Sequence, residues 1–233
     1  MMPRRVNYEK DLRGVFDKLV IMLRHVETAV EKSSHAFLEN DIDRANEVIE
    51  ESKQTSKLER KIQKACLKIL VMEHPVAKDF REISSALKVI TDLERIGDLA
   101  RNISEITLKI SESDYVKNLG QISNMATVVM QMLQDCVRAY IGRDIKLARS
   151  IDDMDDRVDE LFIISMGEIA ELIKKQPEAA ELALWLFMIT KYLERIGDHT
   201  VNVAQWIEYG VTGKYPKKKK EVEISDEEAD IRD

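Results

Sequence analysis

Two carboxylates stand one helical turn apart in a six-residue segment that this chain contains twice. The segment at residues 93–98 reads LERIGD, and the same six letters recur one hundred residues later. Residues four apart lie on one face of an α-helix, so Glu94 pairs with Asp98, and Glu194 pairs with Asp198. Like charges at this spacing destabilise a helix by about 0.2–0.5 kcal/mol. A bound cation would relieve that repulsion, and the alternative is a solvated face neutralised by neighbours such as Arg95, Arg101 and Arg195.

The glycine inside the repeated segment is a second unusual feature. Glycine in a helix interior costs about 1 kcal/mol relative to alanine, and both copies keep it, as Gly97 and Gly197. A shared reason for that cost is the close approach of another backbone or of a ligand. The duplication predicts that the segment performs the same task twice, once in each half of the chain.

The second half supplies further acids opposite the repeated pair. If the chain turns at Gln176-Pro177 between antiparallel helices, residues equidistant from the turn lie level. Glu194 then meets Asp159, and Asp198 meets Asp155. These four carboxylates are predicted to form one layer that borders the surface. Ligands that are all oxygen favour hard cations such as Mg²⁺, Ca²⁺, Mn²⁺ or iron over copper.

The first half is predicted to hold a weaker or differently shaped site. The same register arithmetic places Glu51 level with Asp98, and Glu47 lies one turn away. Alignment of the two second helices places Ser52 and Ser56 where the second half has aspartates. The candidate metal ligands are therefore three carboxylates in the first half and four in the second: Glu51, Glu94 and Asp98, then Asp155, Asp159, Glu194 and Asp198.

Six long helices are predicted to position these residues. Gly (8), Pro (4) and aromatic residues (6%) are scarce, and the abundant residues are those that favour helices. Apolar residues recur with helical spacing between short turn-forming segments. Short connections make neighbouring helices antiparallel, so each half is an up-down-up three-helix bundle. The predicted helices cover residues 7–38, 41–73, 76–112, 115–141, 144–175 and 178–209.

The expected fold class is therefore all-α, with one bundle at residues 1–113, a second at 114–213 and a charged tail at 214–233. The tail holds four lysines, Lys217 to Lys220, followed by acids, and we expect it to be disordered.

The formal charge of −7 argues against general nucleic-acid binding, which favours a basic surface. No segment reads as a signal peptide or a membrane span, so we expect a cytoplasmic protein. Cys66 and Cys136 are expected to be buried thiols.

The doubled LERIGD segment, together with residues 75–81 and 155–159, resembles the PhoU family of phosphate-uptake regulators over residues 7–213. The resemblance implies two bundles related by a pseudo-twofold axis. It implies metal cations at the E/DxxxD motifs, either iron, Mg²⁺, Mn²⁺ or Zn²⁺, as single ions or small clusters. Two departures from the family pattern are the serines at positions 52 and 56 and the lack of a second-half counterpart of Arg81.

The same resemblance implies a regulatory role and its partners. A PhoU protein represses phosphate uptake and the phosphate-starvation response through contacts with the ATPase subunit of a phosphate transporter and with a sensor histidine kinase. Its association with the membrane is then peripheral, through those complexes. Homodimerisation is left open.

Other functions compete with this interpretation. A ferritin-like carboxylate-metal oxidase or metal-storage protein uses Glu-x-x-His on core-facing helices, and no histidine here has Glu three residues before it. His199 alone is a further possible ligand, although we expect an exposed histidine there. A hydrolase lacks a glycine-rich phosphate loop or a Ser-His-Asp set, and a purely structural scaffold is the last alternative. We therefore expect a metal-binding adaptor and no enzyme.

Overall fold

The computed structural model describes residues 3–111 and 120–214, and every regular element within those ranges is helical. The all-α prediction is confirmed. The expected bundle boundary near residue 113 and the tail from residue 215 lie outside the described residues. A single turn of 3₁₀ helix, Pro177–Ala179, precedes the last helix. The helices are α1 Pro3–Glu39, α2 Ile42–Glu51, α3 Lys53–Glu73, α4 Ala77–Ile110, α5 Gly120–Gly142, α6 Ile145–Lys175 and α7 Ala180–Thr212.

Matching aspartates begin the second helix of each half. The carboxylate of Asp41 accepts a hydrogen bond from the backbone N–H of Arg44 at 2.9 Å. Asp144 accepts from the backbone N–H groups of Lys146 and Leu147 at 3.0 and 3.1 Å. Such N-caps satisfy amide groups that have no partner inside the helix, and each stabilises it by about 1 kcal/mol. The caps fix where α2 and α6 start, and so set the register of the acids that follow.

The second predicted helix is interrupted, which its periodicity did not predict. It divides into α2 and α3 at Ser52, whose hydroxyl donates to the backbone carbonyl of Ile49 at 2.7 Å. A serine that bonds back to the preceding turn competes with the helical hydrogen bonds and often bends the helix. The corresponding α6 is continuous from Ile145 to Lys175. The two halves therefore differ at the level of the candidate metal ligands.

The two bundles join through corresponding helices. The most extensive contact in the molecule is between α4 and α7, and α1 also packs against α5. A pseudo-twofold relation requires such pairing of like with like. α3 and α6 lie on the outside, and within the described ranges neither contacts the other bundle.

α4 and α7 run antiparallel across the interface, with the repeated segment at its centre. Nδ1 of His199 lies 2.9 Å from Oδ1 of Asp92. Seven residues earlier in α4, the hydroxyl of Ser85 donates to the carbonyl of Trp206, seven residues later in α7, at 2.7 Å. If this register continues beyond Asp92 and His199, with one step forward in α4 for each step back in α7, the two copies of LERIGD lie opposite each other. The pseudo-twofold axis therefore passes through the duplicated segment.

Arg81, which has no counterpart in the second half, contacts the end of α7. Gly213 ends that helix in the left-handed conformation, at φ +72°, and a Cβ there would lie 3.0 Å from Nη1 of Arg81. A cation near the carbonyl end of a helix is favourable. The corresponding residue one hundred positions later is Glu181, so the contact is made once.

Apolar residues from every described α-helix except α2 form one continuous core across the two bundles. Cys66 and Cys136 lie in this core as buried free thiols, as predicted. Burial raises the pKa of the Cys66 thiol to about 11, and it raises the pKa of Cys136 above its usual range as well. Both thiols are therefore uncharged at neutral pH. None of the helices in the described ranges is both long and apolar enough to cross a bilayer.

Candidate metal centre

The second-half acids lie on two packed antiparallel helices, as the register arithmetic predicts. Asp155 and Asp159 belong to α6, whereas Glu194 and Asp198 belong to α7. The apolar residues beside them on each helix are buried, so the acids lie at the edges of the core-facing sides of the two helices. The layer therefore borders the surface and is not part of the core.

Gly197 allows a carboxylate of α6 to approach the backbone of α7. A Cβ at this position would lie 2.9 Å from Oδ1 of Asp155, and Cβ atoms essentially never come that close to another heavy atom. It would also lie 3.6 Å from Cγ1 of Val158. The expected close approach at the glycine is present, but the approaching group is a side chain of the neighbouring helix. The glycine thus helps to place one of the candidate ligands.

Asp198 is influenced by the other acids of the layer. Although its position is exposed, partial burial of the carboxyl raises its pKa above the ordinary value, and the negative charges of Glu194 and Asp159 raise it further. Lys191 and His199 act in the opposite direction and lower it. The charge interactions link acids from α6 and α7, which is the mutual repulsion that the spacing predicts.

Glu194 has one neutralised oxygen and one oxygen without a partner. Its Oε1 accepts a hydrogen bond from Nζ of Lys191 at 2.6 Å, and that ammonium group also lies 5.2 Å from the centre of the Phe162 ring. Its Oε2 is buried and has no hydrogen-bond partner. A buried carboxylate oxygen without a partner is costly. A cation would satisfy it.

The donor chemistry of this layer fits a hard cation. All four candidate ligands offer carboxylate oxygens, which suit Mg²⁺, Mn²⁺ or iron, and the unpartnered oxygen of Glu194 is available for a further bond. In the part of the chain that the structure describes, no three His, Cys, Asp or Glu side chains already converge closely enough to hold an ion. Binding would therefore require the ligand side chains to rotate toward one another. The metal assignment of Asp155, Asp159, Glu194 and Asp198 stays a prediction.

The first half replaces acids with hydroxyl groups. Ser56 Oγ donates to Oε1 of Glu94 at 3.3 Å, where the second half has an aspartate in place of the serine. At Gly97 the approaching group is Thr55, whose Cγ2 and Oγ1 would lie 2.9 and 3.1 Å from an added Cβ. The sequence analysis did not identify Thr55 as the packing partner of the glycine. A hydroxyl donor stabilises Glu94 without a metal ion.

The other two first-half candidates are paired with basic side chains. Oε2 of Glu51 lies 3.3 Å from Nζ of Lys32 on α1, which also contacts Glu47 at 3.0 Å. Asp98 lies 3.4 Å from Arg101 in its own helix. Each acid therefore already has a positive partner, although the exposure of these pairs makes them weak. The proposal that Glu51, Glu94 and Asp98 hold metal is not tested by this geometry, but they have less need of a cation than the second-half acids.

His199 is not the exposed histidine that we expected. Its side chain is 20% exposed and contacts Asp92, which is 16% exposed, across the interface between the bundles. The position follows from the antiparallel crossing of α4 and α7, which only the tertiary structure provides. The residue that follows Asp198 in sequence thus connects the second-half layer to the first bundle.

Comparison with known protein families gives two consecutive matches to one family. The family described as PhoU domain matches residues 19–107 and again residues 122–207. The phosphate-specific transport system accessory protein PhoU homolog of Deinococcus radiodurans is 31% identical over 205 residues, which cover 88% of this chain and 96% of that protein. The PhoU homolog 1 of Thermotoga maritima is 31% identical over 217 residues, covering 93% and 94%.

Solved structures share the same architecture. The crystal structure of PhoU from Pseudomonas aeruginosa aligns with a TM-score of 0.83 at 29% identity, covering 89% of this chain and all of that one (100%). The phosphate transport system regulatory protein PhoU from Streptococcus pneumoniae also aligns with a TM-score of 0.83, at 23% identity and over 90% and 99% of the two chains. The second similarity concerns the fold alone.

Proposed function

This chain belongs to the PhoU family, and we propose that it is a negative regulator of phosphate uptake and of the phosphate-starvation response. The observation that carries the proposal is the doubled PhoU domain, which spans both bundles. Relatives that align over nearly their whole length are named accessory proteins of the phosphate-specific transport system. The resemblance adds two partners, the ATPase subunit of a phosphate transporter and the cytoplasmic part of a sensor histidine kinase.

We propose that the protein regulates by binding these partners and not by catalysis. The acids at the α6–α7 layer border the surface and do not line an enclosed cleft. Both cysteines are buried and the pKa of each thiol is raised, so neither is an activated nucleophile. Surface acids on two rigid helices are suited to contact another protein directly or through a metal ion.

Asp155, Asp159, Glu194 and Asp198 would hold the cation in this proposal. A bound ion neutralises the repulsion that raises the pKa of Asp198 and satisfies the unpartnered oxygen of Glu194. The support for metal binding is this chemistry of the donors. Lys191, which already bonds to Glu194, competes with the ion for one of the carboxylate oxygens.

A deletion strain tests the regulatory role. We expect phosphate-starvation genes to be expressed constitutively without this protein and to be repressed again by the intact chain. Glu194→Ala combined with Asp198→Ala should restore repression poorly. The matched comparison is Glu94→Ala with Asp98→Ala, the same two substitutions in the first half, which should restore more.

Two controls separate loss of function from loss of protein. Asp153→Ala with Glu160→Ala removes two exposed acids of α6 outside the layer and should behave like the intact chain. Immunoblotting should show all variants at equal levels. Full restoration by the Glu194/Asp198 variant removes the second-half layer from the mechanism, and normal regulation in the deletion strain removes the protein from phosphate control.

A further inference from the structure

α3 carries a continuous basic face on the outside of the first bundle. Lysines at spacings of three and four fall on one side of the helix, and all of them are exposed. The helix has six basic residues and only two acidic ones, in a protein whose formal charge is −7. We call these six residues the basic face: Lys53, Lys57, Arg60, Lys61, Lys64 and Lys68.

The basic face is not neutralised by neighbouring acids. Within the described part of the chain, only Lys68 among the six has an acidic partner, Asp11 of α1 at 3.1 Å, and that pair is exposed. Lys10 and Lys18 of α1 line the groove next to Lys68 and extend the positive surface. The other charges of the face repel one another, so an anionic partner would stabilise it.

Large apolar side chains project at the carboxyl end of the same helix. Val71 is 71% exposed, and Val76, in the turn that leads into α4, is 75% exposed. Contiguous apolar groups in water mark an interaction surface. Five exposed residues make up this region, which we call the apolar turn: Leu67, Val71, Met72, Val76 and Phe80.

The shape of this region favours a flat partner. α3 packs against α1 and α4 with its opposite side, so the basic face is the convex side of a single helix, and the groove beside Lys68 lies at its edge against α1. Lysines along a helix next to protruding apolar residues are the combination found in proteins that lie on membrane surfaces. The lysines contact anionic headgroups while the apolar residues enter the boundary of the acyl chains.

The corresponding face of the second bundle has the opposite charge. α6 has eight acidic and five basic residues, and the acids on its outer side include Asp153, Asp156 and Glu160, which are exposed. An anionic surface would therefore attract the α3 side of the molecule and repel the α6 side. Charge therefore favours the orientation in which the α3 side meets the membrane.

We propose that the basic face and the apolar turn bind the surface of an anionic lipid bilayer. This activity is additional to phosphate regulation and does not depend on it. A second copy of the chain, presenting its acidic α6, is the main rival occupant. It is less suitable because two convex helices meet along a line, and because head-to-tail contacts of this kind form open filaments unless the rotation closes a ring.

Co-sedimentation of the full chain with vesicles tests the proposal. The chain should bind vesicles of phosphatidylcholine containing 30% phosphatidylglycerol, and should not bind phosphatidylcholine alone. Lys57→Gln, Lys61→Gln and Lys64→Gln together should weaken partitioning on the order of 100-fold, from about 1 kcal/mol for each basic residue at the surface. The matched control is Lys146→Gln, Lys174→Gln and Lys175→Gln on α6, which changes the net charge equally and should retain binding within a few-fold.

The apolar turn has its own test and control. Val71→Ser with Val76→Ser should weaken partitioning about tenfold, whereas Ile163→Ser with Leu184→Ser, equally exposed residues of the second bundle, should not. Circular dichroism should show that all variants are folded. The proposal is wrong if the intact chain does not bind anionic vesicles or if both lysine triples lose binding equally. Self-association that the α3 triple abolishes, without vesicle binding, would instead identify a second copy as the occupant.

Discussion

Substitution of Gly97 by alanine should separate helix propensity from packing. Alanine is favoured over glycine in a helix interior by about 1 kcal/mol, so propensity alone predicts a more stable protein. At Gly97, however, the new Cβ would lie 2.9 Å from Cγ2, 3.1 Å from Oγ1 and 3.3 Å from Cβ of Thr55. Thr55 is 3% exposed and branched at Cβ, so it cannot rotate away and its helix must shift.

The expected change follows from these opposing effects. Overpacking a buried contact costs about 1–3 kcal/mol. After subtraction of the propensity gain, Gly97→Ala should destabilise the fold by about 1 kcal/mol, which lowers the melting temperature by about 3 °C in a chain of this length. At Gly197 the close atom, at 2.9 Å, is the terminal oxygen of Asp155, which can swing away, and Val158 lies at an ordinary contact distance of 3.6 Å. Gly197→Ala should therefore keep or raise the melting temperature while it displaces a candidate metal ligand.

Thermal and denaturant unfolding of both variants in chelator measure these effects. The double variant Gly97→Ala with Thr55→Ala should recover part of the stability that the first substitution removes, as a favourable coupling in a double-mutant cycle. The reasoning is refuted if Gly97→Ala is more stable than the original chain, or if removal of the Thr55 side chain gives no coupling.

Three further predictions concern the acids. Because the folded-state pKa of Asp198 is raised, its protonation stabilises the fold at low pH, and this contribution is lost as the pH rises through the raised pKa. Asp198→Asn should therefore stabilise the metal-free protein at pH 7. A stability gain of this variant that persists below the ordinary carboxyl pKa of 3.8 would contradict the prediction. Asp155→Ala should lower calorimetric Mn²⁺ affinity more than Glu51→Ala, and equal losses would reject the asymmetry between the halves. Asp92→Ala should lower the free energy of unfolding by about 1 kcal/mol. The same substitution made in the His199→Ala variant should lower it by much less.

The helices were predictable because their signals are local. Prolines, N-cap aspartates and apolar periodicity lie within one or two turns of the boundaries that they determine, as at Asp41, Asp144 and Pro177. The interruption at Ser52 was missed because the helical spacing of apolar residues continues across it. Ser84 and Ser150 make the same bond to a carbonyl three residues earlier inside continuous helices, so this bond alone does not interrupt a helix.

The candidate site was predictable to the extent that it depends on register. Two antiparallel helices joined by a short turn bring Asp155 and Asp159 level with the α7 acids. The contact between His199 and Asp92 was not predictable in the same way. It forms across the bundle interface and depends on how α4 and α7 cross.

The antiparallel crossing of α4 and α7 has a consequence for how such a chain can diversify. Each repeat presents to the other the surface that an identical copy would present, so a chain of half the length would be suited to form an isologous homodimer of the same shape. In that homodimer every substitution would appear on both sides at once. Joining the two copies in one polypeptide removes this constraint. The fused chain can carry lysines on α3 and aspartates on α6, and so give two geometrically equivalent surfaces different partners.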